Sequence, residues 1–66
     1  MTTAPDRETQ ILDAAARGLT MSETGRELYL SEDTVRTYRR RILKRTGARN
    51  MTQAVAMHVA AQRGPS

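Results

Sequence analysis

Three short interruptions set the limits on what this chain can build. Gly18 is followed two residues later by Thr20-x-x-Glu23, a capping-box pattern; Tyr29 and Leu30 lead into Ser31; and Gly47 precedes Asn50-x-x-Gln53, a second capping pattern. Each places a residue able to start a helix within a few positions of the end of the one before. Between them, apolar residues recur at helical spacing, as in Ile11, Leu12, Ala15, Ala16 and Leu19, and no alternating strand pattern occurs. The sequence therefore predicts an all-α chain of four helices, about 6–17, 20–28, 31–46 and 50–62, joined by connections too short for anything but direct helix-on-helix packing. Gly25 falls inside the second helix, where it costs up to about 1 kcal/mol relative to alanine. Either close packing offsets that cost or the helix is weak.

Sixty-six residues make one domain, 1–66, with too little apolar surface for a deep catalytic cleft, so neither an enzyme nor a cofactor site is expected. Without cysteine the chain has no disulfide framework and no thiolate site, and a lone His58 cannot hold a metal. The start, MTTAPDRETQ, has neither the basic region nor the apolar core of a signal peptide, and the apolar runs are too short to span a bilayer. Cytoplasmic residence without membrane contact is the resulting expectation.

Charge separates along the chain. Residues 1–33 hold all seven acids and three bases, a net of −4, whereas the remainder holds eight bases and no acid, a net of +8. Six of the eleven basic residues fall within Ser31–Thr46, on the third helix. Ser31 can cap that helix, and Glu32 and Asp33 suit the positive end of its dipole. At about 100° per residue from Val35, Ile42 and Thr46 lie within about 20° and Arg39 at about 40°, while Arg36, Arg40, Lys44, Thr37 and Asp33 lie at roughly 100–200°. One side is apolar and the other is a basic ridge, with the Arg39 stem expected to pack inward while its head reaches solvent. Arginines on such a ridge can bind guanine O6 and N7 or clamp phosphates, and Thr37 is short enough to meet a thymine methyl. Asp33 could accept from a cytosine amine or cap the helix. Arg41 and Arg45 lie to one flank and, with Lys44 and Arg49, are expected on phosphate. The plainer reading is a solvated charged face; against it, the stretch Arg36–Arg49 contains no Glu or Asp to pair with its bases at a spacing of four, so the stack repels itself unless a polyanion is bound.

At these residues the chain resembles the LuxR-type (GerE-like) helix-turn-helix domain of bacterial transcription regulators. The resemblance rests on Arg7–Glu8, Ile11–Leu12, Ala16-x-Gly18-Leu19, Glu23, Leu28, the run Leu30–Ser31-x-x-Thr34–Val35–Arg36, Ile42, Gly47 and Arg49, over about residues 5–56. It implies base contacts from Arg36, Thr37 and Arg40, phosphate contacts from Thr34 and the turn around Thr20, and dimers formed through the fourth helix. Departures include Pro5 where a capping threonine is common, so that Thr3 or Ala4 is expected to start helix one. Thr24–Gly25 replaces Ile-Ala, Tyr38 a histidine, Arg39 an apolar residue and Thr46 a leucine.

The fourth helix is apolar nearly all round. Val55 and Val59 are expected to close the core, leaving Ala54, Met57 and Ala61, with His58 beside them, for a second copy; alternatively the alanines are ordinary helix-forming surface. Two functions follow. One is a homodimeric, sequence-specific regulator that places helix 31–46 in the major groove of double-stranded DNA. The other is a small adaptor docking on another regulator or on RNA polymerase through helix 50–62. RNA is a weaker candidate because two tyrosines, with no Phe or Trp, leave little to stack unpaired bases.

Overall fold

The computed structural model describes residues 6–63, which form four helices: α1 (Arg7–Ala16), α2 (Met21–Leu28), α3 (Glu32–Thr46) and α4 (Met51–Arg63). Each start is fixed by a side chain that satisfies a free backbone amide. Asp6 accepts from Thr9 N at 2.8 Å and caps α1, so the start expected at Thr3 or Ala4, outside the described residues, is not needed. The same amide hydrogen bond holds the Asp6 carboxyl below its ordinary pKa. Thr20 and Glu23 complete the capping box of α2 in both directions, at 3.0 and 2.8 Å. Ser31 caps α3. At α4 the pattern is shifted by one residue: Asn50 accepts from Gln53 N as expected, whereas Gln53 Oε1 accepts from Arg49 N rather than from Asn50.

The stops differ in chemistry. Gly18 and Gly47 take φ of 86° and 75°, which glycine adopts without strain. Tyr29 ends α2 in the same left-handed region, at φ 59°, despite its side chain. Leu30 N then donates to the Gly25 carbonyl at 2.8 Å and folds the chain back over the end of α2. A Cβ at Gly25 would collide with the Leu30 carbonyl oxygen. Close packing is therefore what offsets the glycine inside α2.

α1 packs against the other three helices, and α3 against both α2 and α4. Among the described residues the buried apolar side chains are Ile11, Leu12, Ala14, Val35, Ile42 and Ala54, with Leu28, Leu30, Tyr38, Leu43, Met51 and Val55 packed around the main cluster. Thr46 secures the end of α3, donating to the Ile42 carbonyl at 2.8 Å and accepting from Ala48 N at 3.2 Å. The result is a helix-turn-helix, α2 and α3, backed by α1 and α4, with α3 anchored through Val35 and Ile42 so that its opposite side faces outward. No described helix is long and apolar enough to cross a membrane.

Candidate nucleic-acid interface

The ridge on α3 is exposed. Asp33, Arg36, Thr37, Arg40, Arg41, Lys44 and Arg45 are all solvent-accessible, while Val35 and Ile42 on the other side are fully buried. Arg39 is half-buried: it lines one groove with Ile11, Leu19, Met51 and Val55, and another, of about 310 Å³, with Met21, Arg36, Arg40 and Leu43. That placement fits a stem packed inward and a charge directed out.

Local hydrogen bonds decide what each side chain can offer. Thr37 Oγ1 donates to the Asp33 carbonyl at 3.0 Å, so its hydroxyl is engaged by the helix and its methyl is left for contact. Thr34 Oγ1 accepts from the Ser31 hydroxyl at 2.9 Å, which leaves the Thr34 proton free to donate. Thr20 Oγ1 likewise accepts from Glu23 N and retains its proton. Threonines in these two roles stabilise a helix start and can still donate to a phosphate oxygen.

Among the described residues, Arg39, Arg40, Arg41 and Lys44 make no ion pair, but two of the ridge's arginines do. Arg36 Nη1 donates to Asp33 Oδ1 at 2.7 Å, and Arg45 Nε to Glu8 Oε1 of α1 at 2.6 Å. The expectation of an unpaired stack is thus corrected. Asp33 supplies an acid three residues ahead rather than four, and Glu8 arrives from another helix, which spacing along α3 cannot reveal. Nor is Asp33 the cap, since the Ser31 hydroxyl takes that place. Tyr38 is a contributor that the sequence alone left unassigned: Arg41 stacks over its ring at 5.7 Å, and the pair lines a groove of about 270 Å³ with Asp33, Thr34 and Thr37. The signal was present as an aromatic and an arginine three residues apart on one helix.

Apart from Glu32, the acids outside the ridge sit where they compensate neighbours. Asp6 and Glu23 serve helix starts, Glu27 pairs with Arg17 and holds its guanidinium charged beyond the ordinary range, and Asp13 meets His58. Such an arrangement leaves the uncompensated positive charge concentrated on α3.

A helix-turn-helix frame carrying this face matches the family model described as "Bacterial regulatory proteins, luxR family" across residues 5–58. The chain belongs to the LuxR family. Two curated relatives from Bacillus subtilis (strain 168) are similar to it: the uncharacterized transcriptional regulatory proteins YvfU, 43% identical over 51 residues, and YxjL, 38% identical over 53. These matches cover 77% and 80% of this chain but 26% and 24% of the relatives, so the LuxR-type domain spans about a quarter of their length.

On the face of the LuxR-type domain remote from the turn, α4 corrects one expectation and narrows another. Ala54 is 1% exposed and part of the core, because Met51, Ala54, Val55 and His58 form the stripe that meets α1 and α3. It cannot face a partner. His58 Nε2 lies 2.8 Å from Asp13 Oδ1, and its side chain is only 13% exposed, so it links α4 to α1. Met57, 43% exposed, and Ala61 remain on the outer side.

Proposed function

We propose that this domain is the DNA-reading part of a bacterial transcription regulator, binding double-stranded DNA sequence-specifically as a homodimer with α3 in the major groove. The carrying observation is the exposed ridge of Arg36, Thr37 and Arg40 on a helix whose other side is locked into the core by Val35 and Ile42. In this reading Arg36 and Arg40 donate to guanine edges and the Thr37 methyl meets a thymine methyl. Asp33 lies beside them. Thr20 and Thr34 donate hydroxyl protons to phosphates, and Arg41, Lys44, Arg45 and Arg49 neutralise the backbone on either side.

A single helix of this length contacts few base pairs, so pairing of two domains through the outer side of α4, including Met57 and Ala61, supplies the second half-site. For a domain that binds bacterial DNA, residence in the cytoplasm follows.

Selection of binding sites from random duplexes tests the reading. A two-fold motif with half-sites about 10 base pairs apart is expected. Binding that fades to micromolar or weaker at about 150 mM salt, with no enriched motif, overturns it in favour of an adaptor docking on another regulator or on RNA polymerase through α4, its basic helix serving electrostatics alone.

A further inference from the structure

We infer that Asp33 is a specificity-determining positioning residue, which holds the Arg36 guanidinium for base contact while lowering affinity for DNA in general. The inference rests on the DNA-binding reading above.

Asp33 touches two neighbours on the ridge through different atoms. Its carboxylate accepts from Arg36 Nη1 at 2.7 Å, and its backbone carbonyl accepts from the Thr37 hydroxyl at 3.0 Å. Neither capping nor burial explains the carboxylate, and its favourable place at the positive end of the helix dipole is one that Glu32 shares. The cap of α3 is Ser31, and the Asp33 side chain is 92% exposed, so it buries nothing. Exposed ion pairs of this kind contribute little to stability. Near a phosphate backbone the same carboxylate is repelled, which disfavours every duplex alike.

Its effect on recognition has the opposite sign. With one donor of Arg36 engaged by Asp33, the guanidinium samples fewer orientations than a free one, so less side-chain freedom is lost when its remaining donors meet a base. A freely moving Arg36 would instead reach phosphates on any sequence. Glu32, the adjacent first-turn acid, makes no ion pair among the described residues and provides a matched comparison for charge alone.

The test measures binding of the full chain to its selected duplex and to a random duplex by fluorescence anisotropy, for the parent, Asp33→Ala, Glu32→Ala, Arg36→Ala and the double variant, each confirmed helical by circular dichroism. Both acid removals are expected to tighten binding to random duplex. Asp33→Ala is expected to lower the preference for the selected site about tenfold, a loss on the scale of one bidentate contact, while Glu32→Ala leaves it unchanged. In the Arg36→Ala background, Asp33→Ala is expected to have no further effect on preference. A further fall there means that Asp33 reads a base directly and overturns the positioning role. A preference that survives Asp33→Ala overturns this inference alone, whereas a parent without any preference overturns the DNA-binding reading with it.

Discussion

Replacing Tyr29 with glycine should stabilise the domain. Tyr29 adopts φ 59° and ψ 43° at the end of α2, and 94% of its surface is exposed, so its side chain contributes almost no packing to be lost. A residue with a Cβ in this conformation carries about 1–2 kcal/mol of strain. Glycine removes the strain but adds about 0.4–1 kcal/mol of unfolded-state entropy. The difference spans about 0–1.6 kcal/mol, and its middle, about 0.8 kcal/mol, raises Tm by about 3–6 °C for a domain of this size. Thermal melts followed at 222 nm, together with urea titrations, measure it. Tyr29→Ala separates backbone from side chain, because alanine keeps the Cβ and should give no gain. Equal stabilisation by both variants would place the effect in the exposed ring, and destabilisation by glycine would refute the strain argument. Because the turn leaves Gly25, Leu30 and Ser31 bonded as before, the presentation of α3 should not change.

Other consequences can be checked alongside. Arg40→Ala is expected to cost ~1–3 kcal/mol on the selected site and relax the preference there, whereas Lys44→Ala should weaken all duplexes alike and reduce the salt slope by about one; equal losses on selected and random DNA for Arg40→Ala would count against its base-reading role. Gly25→Val drives a branched side chain against the Leu30 carbonyl and Val35, and a loss of about 1–3 kcal/mol in urea unfolding is expected. The lowered pKa of Asp6 means that its carboxylate contributes stability above its ordinary pKa of 3.8, and that this contribution disappears as pH falls through the still lower folded value. Asp6→Asn, which keeps an acceptor for Thr9 N, should flatten that part of the acid-stability curve.

Much of the frame was legible in the residues because its signals are local. Thr20 with Glu23, Ser31 and Gly47 act on backbone groups within a few positions, and the 3.6-residue period of Val35 and Ile42 assigns the buried side of α3 without reference to any other helix. Asp6 marks a start that the resemblance alone misses: with Pro5 at the usual capping position it implies a start at Thr3 or Ala4, whereas the cap of α1 is Asp6. Tyr29 shows another gap, since nothing in its side chain marks the left-handed conformation that the closing turn imposes.

By itself, then, the sequence determined four helices, their order, and a basic face opposite an apolar one, all consequences of capping chemistry and periodicity within single segments. Only the tertiary structure decided how that charge is distributed between free and compensated groups. Glu8 reaches Arg45 across 37 positions, and Asp13 reaches His58 across 45. It also decided which side of α4 is inside. On a helix apolar nearly all round, periodicity offers no choice among faces, and it is the approach of α1 and α3 that buries Ala54 and leaves Met57 outside.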